Sequence, residues 1–454
     1  MKRGTRSLTT RLGSAAGGPQ RVKPLVLLAL VVGLQAADAG TVGALVVPLK
    51  QSLHIDNTQV GLLVTVSTGV GALATLVAGP LADRIVRVRL LWATLLVCSA
   101  AMALSAVSPS YGWLLACRVA LGAGVAVSGP VVASLIGDYF APGERGRVYS
   151  LLLAGAGACT AVGLLVSGQL GAVSWRLGFW WLALVGLAAA VAVATMLREP
   201  VRGGSTRAAN AAVREDTQRR SLWREVRYVL SIRTNVVLVV GSSFGYFFMA
   251  GLSTFGVALL RGRFHIGQSE ATLLVLGLGV GALIGVLGSG RIADWLMTRG
   301  HLGARMVVGG SAFLVAAIFI LPTLLTHNLP LAMVFAFLAA IGLGGVNPPL
   351  NAARLDIVHS RLWGTAESVR TTLVSISTGL APLVFGFVST ELGDSPAALD
   401  HTFLIMLGCL VVAATLIVCV ARRTYPRDVA TALAAEATTA TRPKPVGPPQ
   451  HVVA

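Results

Sequence analysis

The chain has 454 residues, of which 55% are hydrophobic and only 12% charged, with a formal net charge of +18. Soluble domains carry roughly a quarter charged residues, so this chain needs lipid as its solvent, and it is long enough for about a dozen spans of roughly 20 residues. Its Arg and Lys residues gather at the ends of apolar runs, which reports membrane topology and argues against a nucleic-acid partner.

Residues 1–23 hold Lys2, Arg3, Arg6, Arg11, Arg21 and Lys23 with no acid, and read as a disordered basic arm. The run Leu25 to Leu34 followed by Gln35-Ala36-Ala37 imitates a signal peptide, but apolar sequence continues to Leu49 and makes a full span. Spans are expected at 25–48, 58–81, 90–107, 112–137, 148–172, 177–197, 234–260, 269–289, 304–325, 330–355, 365–390 and 402–421. One set of loops is basic, including Arg84, Arg87, Arg89, Arg145, Arg147, Arg291, Arg299, Arg305, Arg354 and Arg361. The alternate set is short and cation-poor, with Lys50, Arg176, Arg261 and Arg263 as exceptions. By the positive-inside rule both termini are expected to be cytoplasmic.

The expected organisation is therefore all-α and integral to the membrane, with twelve transmembrane helices in two six-helix bundles. Its parts are a basic arm (1–23), a first bundle (24–197), a basic cytoplasmic linker (198–233), a second bundle (234–421) and a disordered tail (422–454). Within the linker, Ala211 to Val229 is expected to form a helix lying on the anionic inner leaflet. Cys98, Cys117, Cys159, Cys409 and Cys419 all lie in apolar runs without CxxC spacing, so neither a disulfide framework nor a metal site is expected.

One phrase occurs twice, as Gly79-Pro80-Leu81-Ala82-Asp83-Arg84 and as Gly290-Arg291-Ile292-Ala293-Asp294-Trp295. Both copies stand where an apolar segment meets a basic stretch. A duplicated loop implies two related halves facing each other, which is how many secondary transporters are built. Asp83 and Asp294 are placed to cap a neighbouring helix and to pair with an Arg on the next loop. Gly79, Asp83, Arg84, Arg87, Arg145, Arg147, Gly290 and Asp294 form the candidate gating set.

Charges inside lipid are costly and mark function by default. Asp38 lies near the middle of the first span and Arg118 in the outer half of the fourth. At the helical rise they sit ~15 Å and ~9 Å from the outer ends, within reach of a long Arg side chain. Desolvation disfavours an ionised carboxylate and a nearby guanidinium favours it, so a pair that separates during a cycle can exchange a proton. Asp38 and Arg118 are the candidate coupling pair. Arg118, Ser128, Tyr246 and Asn347 are candidate cavity residues, and Asn347-Pro348-Pro349 is expected to break the tenth span. Glu367 and Arg370, three apart, are expected to pair locally. The sequence has no P-loop, no HExxH, no GxSxG context and no zinc spacing, so neither an enzyme nor a cofactor is expected.

The loop Gly79–Arg87 and the stretch Arg118-Val119-Ala120-Leu121-Gly122-Ala123-Gly124 resemble the signatures of the major facilitator superfamily, with Val86 standing where that family usually has glycine. Leu197-Arg198-Glu199-Pro200-Val201-Arg202-Gly203-Gly204 is similar to a phrase of its spinster-like branch. Asp38 matches the one acidic position of that branch's first-span motif, while Ala36, Ala37 and Ala39 replace its polar neighbours and Val125 stands where the branch tends to have Glu. The resemblance implies export of lysolipids or sphingoid lipids through an amphipathic cavity, with Arg118 meeting a head-group phosphate or the coupling carboxylate.

The expected function is a proton-coupled secondary transporter moving an amphipathic, lysophospholipid-like molecule by alternating access. Its expected partners are the cargo, protons and the bilayer, and the resemblance implies a monomer. A multidrug exporter of the same fold, a proton-independent facilitator and a non-transporting receptor or scaffold are the alternatives. The Arg-, Ala-, Gly- and Val-rich composition suggests a bacterial inner membrane.

Overall fold

A computed structural model describes residues 19–140, 144–200, 222–301, 303–358 and 363–440. The first half comprises α1 (Pro19–Leu53), α2 (Asn57–Arg84), α3 (Arg87–Ala106), α4 (Tyr111–Tyr139), α5 (Arg145–Val173) and α6 (Trp175–Met196). A short helix, α7 (Leu222–Ser231), leads into the second half. That half comprises α8 (Arg233–Phe264), α9 (Gln268–Thr298), α10 (Ala304–Leu325), α11 (Leu329–Gly345), α12 (Asn347–Ile357), α13 (Trp363–Glu391) and α14 (Pro396–Thr415). A π-helical turn (Leu416–Ala421) then passes into α15 (Arg422–Ala440). Among the described residues twelve helices are long and apolar enough to cross a membrane, α11 and α12 counting as one. With no water to satisfy peptide groups in lipid, helix is the form such runs must take.

The helices run past the apolar windows that announce them, because backbone pairing continues into polar flanks. Four of the short cation-poor loops end on a capping side chain. Ser110, Ser174, Asn328 and Ser395 accept the first free N–H groups of α4, α6, α11 and α14, from Trp113, Arg176, Leu331 and Ala398 respectively. The tenth span breaks at Val346, with prolines opening α12 where their missing N–H costs nothing.

The two halves repeat one packing pattern. In the first, α1 lies on α5, α2 on α4 and α3 on α6; in the second, α8 lies on α13, α9 on α11 and α10 on α14. Between the halves α2 meets α13, α1 meets α8 and α5 meets α9. The tightest seam is α2 against α13. A Cβ on Gly61 would lie 2.1 Å from the Pro382 carbonyl oxygen, and one on Gly386 2.1 Å from that of Asn57. Only glycine permits these backbones to approach so closely.

This seam lies at the cation-poor end. There the Lys50 Nζ donates to Asp394 Oδ1 and to Asn57 Oδ1, both at 2.8 Å, and Asn57 Nδ2 donates to Ser389 Oγ at 2.9 Å. Gln268 on α9 reaches the Ala44 carbonyl on α1. Toward the basic end α2 and α13 lose this cover, and Leu73, Leu373 and Ile376 are exposed.

Two expected boundaries are corrected. Residues 19–23, assigned to a disordered arm, belong to α1, and Arg21 pairs with Glu144 at 2.6 Å. The tail is helical through Ala440. Alanine favours helix there, Tyr425 is buried with its hydroxyl on Asp356, and Asp428 accepts the Thr234 N–H at 3.0 Å. In the linker, α7 covers the end of the expected surface helix, and Ala211 to Ser221 lie outside the described residues.

Candidate functional site

The first half brings Asp38 and Arg118 together. Both stand inside apolar helices, α1 and α4, whose close approach to α2 and α5 is set by small residues. A Cβ on Gly122 would lie 2.3 Å from the Ser67 carbonyl, and one on Gly40 2.5 Å from that of Thr160. The Arg118 Nη1 donates to both Asp38 oxygens, at 2.8 and 3.0 Å. The Arg118 side chain is 2% exposed and that of Asp38 15%. The guanidinium also lies over the Phe179 ring, 4.9 Å from its centroid, a contact that favours a desolvated cation. Its Nη2 is buried with no hydrogen-bond partner among the described residues.

Asp38 borders a cavity of about 30 Å³ lined also by Gln35, Thr94, Cys98 and Ser99. That is room for about two waters beside polar groups that can hold them. Ser128, roughly three turns beyond Arg118 on α4, takes a hydrogen bond from Gln35 and donates to the Val125 carbonyl at 2.7 Å. It thus joins the coupling pair's surroundings.

Tyr246 and Asn347, the other expected cavity residues, meet in the second half, where the tyrosine hydroxyl donates to the Asn347 amide oxygen. Glu367 and Arg370 pair as their spacing implies, with Arg370 Nε donating to the two carboxylate oxygens at 3.1 and 3.0 Å. Arg354, expected as a loop cation, is instead buried beside them. No pairing connects this cluster to Asp38 among the described residues' hydrogen bonds. The two sets lie in different halves.

The gating set resolves differently from its expectation. Gly79, Asp83 and Arg84 close α2, and Arg145 and Arg147 open α5, but these side chains lie outside the described residues. Arg87 is buried at the start of α3. Its Nε donates to Glu199 at 2.8 Å, its Nη1 to Asp138 and to Ser134 (2.9 Å), and its Nη2 to the Pro200 carbonyl at 3.1 Å. Glu199 also accepts the Val88 N–H at 2.8 Å, the capping role that the sequence suggested for the repeated aspartate. In the second half Asp294 is 72% exposed and only within 3.8 Å of Arg305. Among the described residues it accepts no N–H from the first turn of α10, whose N-cap residue is Gly303. A carboxylate so solvated gains little from either partner. Arg305 binds Asp356, which also takes the Tyr425 hydroxyl. Gly290 lies against Pro348, where a Cβ would sit at 3.5 Å in ordinary contact.

Asp138 and Asp356 were not singled out by the sequence, and Glu199 was named only within the phrase after the sixth span. The signal was nevertheless present: Arg87–Asp138 and Arg305–Asp356 share a separation of 51 positions. Each pair ties the start of the third helix of a half to the end of its fourth. Among the described residues no group of His, Cys, Asp and Glu could hold a metal ion.

The chain matches the family model of the Major Facilitator Superfamily over residues 28–324 and 295–451. It is 33% identical over 217 residues to the MFS transporter cpaT of Aspergillus oryzae, a match covering 42% of each chain. It is also 33% identical over 141 residues to the niacin transporter NiaP of Acinetobacter baylyi, covering 30% of this chain and 32% of that one. The chain thus spans less than half the length of these two relatives. A probable L-galactonate transporter of Escherichia coli matches at 21% identity over 86% of this chain and 87% of its own. In structure the chain is similar to a bacterial homologue of the human lysosomal transporter Spinster in an inward-facing, unoccupied conformation. That match has a TM-score of 0.78 at 21% identity and covers 90% of this chain and 98% of that one. At this identity the likeness speaks to the fold.

Proposed function

The chain belongs to the major facilitator superfamily, and on that premise we propose that it is a proton-coupled secondary transporter of a small amphipathic molecule. The family is shown by the match over most of the chain. Transport, its coupling and its cargo are our reading. The observation that carries it is the Asp38–Arg118 pair, held at 2.8 Å inside apolar helices beside a water-sized cavity.

A buried carboxylate facing a guanidinium has two stable arrangements. Ionised, it holds the arginine; protonated, it releases it and leaves a neutral acid in a dry site. Proton uptake through the neighbouring cavity would loosen α1 from α4, and proton release would draw them together. Alternating access then consists of opening and reclosing the cation-poor seam as the basic end does the reverse. The gating residues Gly79, Asp83, Arg84, Arg87, Arg145, Arg147, Gly290 and Asp294 would act at the basic end. Under the positive-inside reading this is the cytoplasmic face of a bacterial inner membrane, with the protein working as a monomer.

An amphipathic cargo agrees with a chain whose polar residues at depth are few, and the lysophospholipid class follows from the spinster-like resemblance. A second reading, a small carboxylate, is favoured by the names of two relatives, which carry niacin and L-galactonate. A proton-independent facilitator would leave Asp38 as packing, and a multidrug exporter would prefer cations.

The test is flux of labelled lysophosphatidylglycerol and of labelled nicotinate into proteoliposomes under an imposed proton gradient. Gradient-dependent flux that Asp38→Asn removes, while equilibrium exchange survives, is the expected result. Flux indifferent to both gradient and substitution would make the protein a facilitator.

A further inference from the structure

The second half holds more positive charge than it can neutralise. Arg354 on α12 and Arg370 on α13 share one carboxylate, Glu367. That carboxylate is 58% exposed and already occupied by Arg370. The Arg354 side chain is 9% exposed, and its Nη1 stands 3.8 Å from Glu367, beyond a hydrogen bond. This Nη1 is buried with no hydrogen-bond partner among the described residues. The remaining nitrogens are held by the chain itself, Nε on the Leu350 carbonyl at 3.3 Å and Nη2 on Asn351. The guanidinium is therefore fixed in orientation with one donor edge unused.

A buried donor left unmade costs free energy, and native structures rarely keep one without purpose. The adjoining groups are also donors. Arg370 approaches the Tyr246 hydroxyl. That hydroxyl spends its proton on the Asn347 amide oxygen, and no hydrogen bond engages the Asn347 amide nitrogen among the described residues. Acceptors are scarce and donors converge. The exposed Leu373 stands one turn beyond Arg370 on α13, on the same side of the helix, and supplies apolar surface next to the charge.

We propose that Arg354, Arg370 and Asn347 form an anion subsite for the cargo, taking a carboxylate or a phosphate whose apolar body lies toward Leu373. Arginine presents a planar fork suited to either group. Glu367 acts as the resident placeholder: it holds Arg370 while the site is empty and yields when a stronger anion arrives. This deepens the transporter reading and rests on it for the identity of the ligand as cargo. The donor geometry stands without it.

The test is scintillation-proximity binding to the full chain purified in dodecyl maltoside. Three tritiated probes are used: 1-oleoyl lysophosphatidylglycerol, nicotinate and the uncharged monoolein. An anionic probe is expected to bind and monoolein not to. Arg354→Gln is expected to weaken that binding about tenfold or more, as loss of a charged hydrogen bond does. Glu367→Gln is expected to tighten it about fivefold by removing a competing charge. The gain matters because a misfolded variant cannot produce it. Arg176→Gln, which removes a cation stacked on Trp175 at the cation-poor end, is expected to bind as wild type. Binding of the lysolipid alone assigns the anion to a lipid head group, and binding of nicotinate alone to a free carboxylate. Equal binding of monoolein and the charged probes, or unchanged binding in both Arg354→Gln and Glu367→Gln, overturns the proposal. Charge-selective binding without flux would reject the transporter reading and leave the subsite, and gradient-driven flux with charge-blind binding would do the opposite.

Discussion

The two halves share their clamps and differ in the second arginine that each one buries. Each clamps its third helix to its fourth through one arginine and one aspartate at the same sequence separation, Arg87–Asp138 and Arg305–Asp356. In that register the position matching Arg118 is Ala336, and the position matching Arg354 is Ile136. The buried cations were therefore placed independently in each half. In the first, Arg118 meets a carboxylate of its own and the charges cancel. In the second, Arg354 meets a solvated carboxylate that already serves Arg370. Duplication supplied a common scaffold; what differs is that one half balances its buried arginine and the other leaves it without a full partner.

The largest test of that contrast is thermodynamic. Arg118→Ala strands Asp38 in an apolar site, and breaking a buried pair in this way costs about 3–5 kcal/mol. Asp38→Ala/Arg118→Ala together should recover much of the loss, since no lone charge remains. Arg354→Leu should behave in the opposite sense, leaving stability unchanged or raised, because it removes a cation with no adequate partner. Thermal melts of the four proteins in detergent read this directly. Comparable losses for Arg118→Ala and Arg354→Leu would mean that both arginines are structural ties and that the contrast is empty.

The duplicated clamps sharpen the comparison at smaller cost. Arg87 is more deeply buried than Arg305 and makes bonds to Glu199, Asp138, Ser134 and Pro200. Asp138→Asn is expected to cost about 2 kcal/mol, the range for hydrogen bonds to charged groups. Asp356→Asn should cost about half as much, since its pair is more solvated. The difference is measured by the same melts. If Asp356→Asn is the costlier, then Tyr425 and the tail helix hold that clamp more firmly than burial implies.

These partners also show what a linear sequence reveals and what it hides. Asp38 and Arg118 were readable because each is a lone charge in an apolar run, and helical rise alone brings their depths together. The break before Asn347 was readable because proline lacks a donor. Arg87 was visible, but its partners stand 51 and 112 positions away, and no local period connects them. Arg354 looked like a loop cation because it follows a long apolar run. Its burial arises only in the fold, where α12 packs among α8, α9, α10 and α15. The tail looked disordered by composition, yet Tyr425 and Asp428 are anchored by residues far earlier in the chain.

The smallest expected effect belongs to the clasp at the cation-poor end. Lys50 links α1 to Asp394, a residue in a left-handed turn after Gly393, and both side chains keep part of their solvent. Such a pair contributes less than about 1 kcal/mol. Lys50→Ala should therefore shift the balance between closed and open seams by no more than about fivefold, without touching the fold. Spin labels on α1 and α13 would read this as a minor population at longer distance, and raising the ionic strength of wild type should move it the same way. An unchanged distance distribution under both treatments would place the closure in the glycine seam at Gly61 and Gly386 instead. Weakness here is consistent with the mechanism. In the cycle proposed above, a seam that opens once per turnover yields to the free energy of cargo and proton, whereas the deep Asp38–Arg118 pair holds until it is protonated.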